Sequence, residues 1–266
     1  MPYSSLQLAT RYLGYRVRAL NGRGHGMHSP FVYDFIRNVL NDRQSYPAYQ
    51  QVESLRKQLL SDSSVIEVLD LGAGSSAKSG QQRKISGIAK AAAKPPKYGQ
   101  LLMRLVQYYQ PAHILELGTS LGISTAYLSF GQPAASVVTL EGAPAIAGKA
   151  ATHFRQLGLK NIQQVTGNFD DTLKPVLANM KNVELAFIDG NHQEEPTLRY
   201  FSEILSCTGN NSIIVFVDIH WSRGMENAWS QIKQHPATRT SIDLFFMGIV
   251  FLRSEFREVQ HFEIRY

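Results

Sequence analysis

The sequence predicts an α/β fold: an open sheet of seven strands flanked by helices, ending in an antiparallel hairpin. A mostly helical extension over residues 1–96 precedes a domain spanning residues 97–266. Three observations carry this reading. From His113 onward, short apolar runs ending in polar or acidic residues alternate with helical patterns, as parallel strands joined by helical crossovers require. A glycine loop, Gly118-Thr119-Ser120-Leu121-Gly122, separates the first such run from a helix. The last two runs, Thr238 to Asp243 and Met247 to Arg253, are joined too closely for a crossover and must pair antiparallel.

Taken in order, residues 3–20 space Leu6, Leu8, Tyr12, Leu13, Val17 and Leu20 among arginines as an amphipathic helix. A glycine loop with His25 and His28 follows, a His-x-x-His pattern open to metal or substrate. Ser29-Pro30 then starts a second helix, serine as cap and proline in the first turn. Tyr46-Pro47 breaks the chain before a third helix around Val52 to Leu60. Val65 to Ser75 reads as a strand and a second glycine loop, Asp70-Leu71-Gly72-Ala73-Gly74-Ser75, yet no second strand ending in an acid follows it. The complete alternating series follows Gly122 instead, so the ligand loop is assigned there and the earlier one to a lid or substrate wall.

Lys97 to Val106 is the helix leading to the first strand, Ile114 to Leu117. Ser136 to Glu141, Ile162 to Thr166, Val183 to Asp189 and Ser212 to Asp218 are the next four, with helices from Pro144, through Leu173 to Met180, from Pro196, and through Ala228, Trp229 and Ile232. The run before Asp218 is almost wholly apolar, as expected of a strand buried on both faces.

The 266 residues carry 27 Lys and Arg against 21 Asp and Glu. The excess is confined to residues 1–112, with 15 basic and 6 acidic side chains, a pattern that suits an anionic partner but more often forms a solvated face. No apolar run reaches the length of a membrane span and no signal-peptide core is present, so the expectation is a cytoplasmic protein without a membrane partner. The lone Cys207 excludes a disulfide framework and reads as a small buried hydrophobe.

The loop after the first strand keeps the spacing Glu-x-Gly-x-x-x-Gly. Ser120 and Ile123 occupy places where a dinucleotide fingerprint needs glycine. Glu116 offers a counter-charge to an ammonium where a phosphate would be repelled, and Gly118 and Gly122 admit close backbone approach. S-adenosylmethionine, with an adenosine half and a cationic half, fits that description. Glu141 stands 23 residues beyond Gly118, near the roughly 20-residue offset of a ribose-binding acid.

Over about residues 97–253 the chain resembles the class I S-adenosylmethionine-dependent methyltransferases, whose sheet is Rossmann-like. It is similar within them to the catechol and caffeoyl-CoA O-methyltransferase group. Lys97-Tyr98-Gly99-Gln100-Leu101-Leu102, Leu115-Glu116-Leu117-Gly118-Thr119-Ser120-Leu121-Gly122-Ile123-Ser124 and the strand ends at Asp189 and Asp218 carry the resemblance. Phe187-Ile188-Asp189-Gly190-Asn191-His192 and Asp218-Ile219-His220-Trp221 also resemble a bacterial subgroup with mostly unassigned substrates. The resemblance implies a cofactor site made by Glu116, Gly118, Thr119, Ser120, Gly122 and Ser124 about the methionine part, Glu141 on the ribose, and Asn168 and Phe169 at the adenine, with Asp189 adjoining. It implies a small-molecule acceptor, and residues 1–96, outside it, are left as a separate domain, a lid or a homodimer contact.

Asp189 and Asp218 match two ligands of the divalent metal in metal-dependent relatives, but Ile219 stands where those relatives have asparagine. His220, His192 and Asn191 are the replacement candidates, and a nitrogen ligand favours a transition metal. His192 takes the place of the relatives' catalytic lysine. A histidine suits deprotonation of a hydroxyl at neutral pH, so His192 is the expected base, Asp189 or Asp218 its orienting acid and His220 the second choice. Two rival classes are a nucleic-acid methyltransferase using the basic N-terminal third and a non-catalytic nucleotide-binding module. Against the first, no Asn-Pro-Pro-Tyr-type tetrapeptide occurs, so nucleic acid is not the expected partner.

Overall fold

A computed structural model describes residues 2–68, 81–92 and 94–266. The earlier glycine loop, Asp70 to Ser75, lies outside the described residues. Helix α1 (Ser5–Arg18) opens on a capping box in which Ser4 and Gln7 each bond the other's backbone. Helix α2 (Pro30–Phe35) starts as read, with the Ser29 side chain accepting from Val32, and continues as a π-helical turn over Ile36–Leu40. Then come α3 (Pro47–Ser61), β1 (Val65–Val68), β2 (Gln81–Lys84), α4 (Ile85–Ala92) and α5 (Pro96–Tyr109). Strict alternation follows: β3 (His113–Leu117), α6 (Ile123–Gly131), β4 (Ser136–Glu141), α7 (Pro144–Gln156), β5 (Ile162–Thr166), α8 (Phe169–Asn179), β6 (Val183–Ile188), α9 (Glu194–Leu205), β7 (Thr208–Val217) and α10 (Arg223–Gln234). The chain ends with β8 (Thr240–Asp243), β9 (Met247–Phe251) and β10 (Gln260–Glu263).

The main sheet has the order β10-β8-β9-β7-β6-β3-β4-β5. Its ladders β3-β4-β5 and β6-β7 are parallel, while β9 runs antiparallel to β7 and β8, which is the expected hairpin. The strand count is eight where the sequence predicts seven. The addition, β10, pairs parallel with β8 from Gln260↔Thr240 to Glu263↔Asp243. Four residues with one apolar side chain present no readable alternation, and this strand exists through its backbone pairing. β1 and β2 form a separate antiparallel pair, so β1 does not feed a parallel crossover.

Contacts divide the chain into two compact units, residues 1–41 with 179–266, and residues 42–178. In the second, Leu55 and Leu59 of α3, Val68 of β1 and Ile85 and Ile88 of α4 share a core with Leu121 of the glycine loop and Ile146 of α7. Helices α3 and α4, which precede residue 96, thus share a core with that loop. In the first unit, Tyr15 and Ala19 bury against Phe245 beyond β8, and the Tyr15 hydroxyl donates to the Ile264 carbonyl. Cys207 follows α9 and is only half-buried, not the core residue expected.

Close packing makes one glycine in this unit testable. A Cβ at Gly248 in β9 would stand 2.7 Å from the Trp229 ring of α10, whereas one at Gly148, exposed on α7, would meet nothing within 4 Å. Gly248→Ala is expected to destabilise the protein by roughly 1–3 kcal/mol through overpacking, and Gly148→Ala to stabilise it by up to about 1 kcal/mol through helix propensity. Urea denaturation of the two variants checks both signs.

Candidate active site

The second unit gathers its candidates at the C-terminal ends of three parallel strands. Glu116, one residue before β3 ends, has no solvent exposure, and its carboxylate accepts from the hydroxyls of Thr125 and, at 2.7 Å, Thr139. The Thr139 hydroxyl also contacts that of Thr119 at 2.6 Å. The N–H groups of Gly118 and Thr119 donate to the Leu140 carbonyl at 2.9 and 3.1 Å, which turns the loop back over β4. Gly118, Ser120 and Gly122 all adopt left-handed backbone, at φ 101°, 46° and 85°. Two of them are glycine for that reason. At Gly122 the reason is also spatial, because a Cβ would lie 2.5 Å from the Phe154 ring.

Glu141, at the end of β4, holds the loop from the other side. Its two carboxylate oxygens accept from Ser120 N–H at 2.8 Å and Ala143 N–H at 2.9 Å. The β5 end contributes Asn168, whose side chain accepts from Asp170 N–H at 3.1 Å at the start of α8, with Phe169 next to it. Ser124 lies in the first turn of α6, half-buried. Glu116, Gly118, Thr119, Ser120, Gly122, Ser124, Glu141, Asn168 and Phe169 therefore all belong to one set of strand ends and loops in this unit.

Sequence reasoning missed a further support. His153 of α7 is buried, and its Nδ1 lies 2.9 Å from the Leu121 carbonyl, which can only accept, so Nδ1 carries the proton. Burial, with help from nearby Lys149, pulls the pKa of this imidazole below the ordinary histidine value. The only signal in the sequence is its position in the turn of α7 next to Phe154, the residue that fills the space at Gly122.

The first unit holds the second group. Beyond β6, Asp189 opens a loop in which Asn191 and His192 both have positive φ, 67° and 24°, and beyond β7 Asp218 does too, at 58°. Asn191 donates to the Tyr200 hydroxyl at 3.1 Å, and Asp218 N–H donates to the Phe246 carbonyl at 2.8 Å. His192 Nε2 stands 3.5 Å from Asp189 Oδ1 and 4.0 Å from Asp218 Oδ2. Those separations are charge contacts and exceed ordinary hydrogen bonds. One ligand atom from each of the three lies within 4.8 Å of the others.

His220 is held elsewhere. Its Nε2 meets Asp243 at 2.9 Å and its Nδ1 meets Glu226 at 3.2 Å, with the ring stacked on Phe245 at 5.0 Å. Burial lowers its pKa, but the bonds and charge of Asp243, then of Glu226, outweigh that and hold it above the ordinary value. Asp243 also accepts from Trp229 Nε1 at 3.0 Å and Phe245 N–H at 2.8 Å. Glu226 accepts from the Tyr3 hydroxyl and from Arg11, each at 2.8 Å. The structure thus brings His192, Asp189 and Asp218 together and engages His220 in a separate network. Ile219, at the place of the relatives' asparagine, is buried. His25 and His28 are exposed in their glycine loop.

Residues 115–219 match the family model of a methyltransferase domain. Among curated proteins none matches this sequence. Solved structures share the fold. An SAH-bound methyltransferase of Podospora anserina is 14% identical with a TM-score of 0.61, over 96% of this chain and 98% of that one. An O-methyltransferase of Bacillus cereus in complex with SAH is 19% identical at 0.55, over 83% and 97%. An O-methyltransferase of Streptomyces achromogenes involved in tomaymycin synthesis, in complex with SAM, is 15% identical at 0.55, over 79% and 92%. The chain therefore has the α/β fold of these enzymes.

The depressed pKa of His153 gives a pH dependence of known sign. Above the ordinary value of ~6.5 the imidazole is neutral in both folded and unfolded chains, and its contribution to stability is complete. Below it, the unfolded chain takes up the proton first, so stability falls until the lower folded pKa is passed. Denaturation midpoints between pH 7.5 and 5.5 are expected to drop less for His153→Gln than for the parent protein.

Proposed function

We propose that the methyltransferase domain at residues 115–219 makes this chain an S-adenosylmethionine-dependent O-methyltransferase acting on a small-molecule hydroxyl, with His192 as base. The observation that carries this is the glycine-loop cradle. A carboxylate withdrawn from water at Glu116, left-handed backbone at Gly118, Ser120 and Gly122, and an acid clamped to that loop at Glu141 make a site for a cationic, ribose-bearing ligand. The residues fit the cofactor on chemical grounds. It bears an ammonium and a sulfonium but no phosphate, so an acid at the loop attracts it, and the side chain of Ser120 has no pyrophosphate to obstruct.

In this reading Glu116, Gly118, Thr119, Ser120, Gly122 and Ser124 hold the methionine part, Glu141 takes the ribose hydroxyls, and Asn168 and Phe169 flank the adenine. When bound, the cofactor supplies an electrophilic methyl group for in-line displacement. The chain's part is to align the acceptor oxygen and remove its proton. His192 Nε2 takes that proton as the O–C bond forms, and the carboxylates of Asp189 and Asp218, at 3.5 and 4.0 Å, stabilise the imidazolium. His220, already engaged by two carboxylates, steadies the segment after Asp218 and does not act as base. The solved structures that share the fold, O-methyltransferases in complex with SAH or SAM, support the same assignment.

One observation favours a second reading of the same residues. Asp189, His192 and Asp218 offer two carboxylates and an imidazole in metal-ligand proximity, a mixed oxygen and nitrogen set that suits a transition metal better than magnesium. There His192 would hold the ion and the ion's charge would acidify the acceptor hydroxyl.

Calorimetric titration with S-adenosylhomocysteine tests the cradle: binding is expected, weakened at least tenfold by Glu141→Ala, and its absence would remove the methyltransferase reading. His192→Ala is expected to lower kcat by about 10²–10⁴ while S-adenosylhomocysteine affinity is kept. Turnover insensitive to EDTA supports the base; loss with EDTA, restored by manganese, assigns His192 to the metal.

A further inference from the structure

Helix α1 is apolar on two opposite sides. Its inner side is accounted for, with Leu8, Tyr12 and Tyr15 packed about Phe245 and Phe246. On its outer side Leu6, Leu13 and Val17 are 76%, 64% and 80% exposed, and Leu20 just beyond the helix is 40% exposed. At 3.6 residues per turn these three helical positions fall within about 20° of a single line, opposite Tyr15. Large exposed side chains on one line make a continuous stripe, unlike single apolar residues scattered on a surface.

The charges around the stripe have one sign. Helix α1 contains no acid. The carboxylates it touches, Glu226 and Glu263, are taken by Arg11 at 2.8 Å and Arg18 at 3.5 Å. Arg16 is exposed beside the stripe, its guanidinium 5.9 Å from the centre of the Tyr12 ring, Arg23 is exposed in the loop that follows, and exposed Arg265 has its backbone N–H on the Leu20 carbonyl at 3.1 Å.

We propose that α1 seats this protein on an anionic lipid surface, the stripe entering the headgroup boundary and the arginines meeting lipid phosphates. A basic amphipathic helix lying in the interface plane has this composition. Among the described residues no helix is long and apolar enough to cross a membrane, so the contact is peripheral. A second copy of the chain fits less well. A two-fold contact sets the same patch against itself, and a patch whose acids are already paired with arginines presents mainly like charge to its copy. The area is also small: a 14-residue helix is about 21 Å long, and a strip ~10 Å wide covers ~200 Å² per copy against the roughly 800 Å² of a stable interface.

The test is co-sedimentation of the full chain with vesicles of phosphatidylcholine alone and of phosphatidylcholine mixed with phosphatidylglycerol. Binding is expected at least about tenfold stronger on the anionic vesicles, decreasing with salt. The variants L13E/V17E and R16E, all at exposed positions, should each weaken it while the thermal midpoint stays that of the parent. Failure to bind either vesicle, or undiminished binding by L13E/V17E, overturns the proposal. So does a dimer by light scattering that L13E/V17E converts to monomer without any vesicle binding, which would make the occupant a second copy.

Discussion

A carboxylate with no access to water at the end of β3 is the constraint on which the glycine-loop unit depends. Removing a charge from water costs several kcal/mol, and Glu116 is tolerated there because Thr125 and Thr139 reach it from α6 and β4. Those hydroxyls fix the helix after the loop and the neighbouring strand to the same point. The loop between them is then held by its own backbone bonds to Leu140, by Glu141 across from it, and by His153 and Phe154 from α7. Several independent contacts converge on five residues and hold the loop in one shape.

Backbone strain falls at the same places. Of the six non-glycine residues with positive φ among those described, Ser120, Asn191, His192 and Asp218 lie in the two candidate groups, while Gln110 ends α5 and Phe245 turns the last hairpin. A side chain forced into that region costs of order 1–3 kcal/mol, which surrounding structure must offset. For Asp218 the offset includes the bond to the Phe246 carbonyl, and Phe245 is itself fixed by Asp243. The His220 network therefore acts at one remove, by immobilising the hairpin on which Asp218 rests.

The alternating strands and helices from His113 to Val217 were legible because a buried parallel strand must be apolar throughout and its loop must turn at glycine or an acid. Strand β10 was not, since its four mostly polar residues owe their conformation to the β8 backbone. The glycine-loop residues were legible as a set, because their spacing reflects local turn geometry. What escaped the sequence was long-range pairing. His220 carries the same local signature as His192, a histidine just past a strand-end aspartate, and only the positions of Glu226 and Asp243 distinguish the two. His153, 32 residues from the carbonyl it supports, left no pattern to read.

The burial of Tyr15 carries a consequence for biosynthesis. Its hydroxyl is bonded to Ile264, 249 residues away, and Leu20 pairs with the backbone on both sides of that residue. Helix α1 thus finds its partner only after 249 further residues have been made, roughly 10–50 s later at ordinary elongation rates. Throughout that interval α1 exposes both of its apolar faces. Tyr15 and Leu20 on one side and residues 263–265 on the other thus close the first unit as a latch that forms late in synthesis.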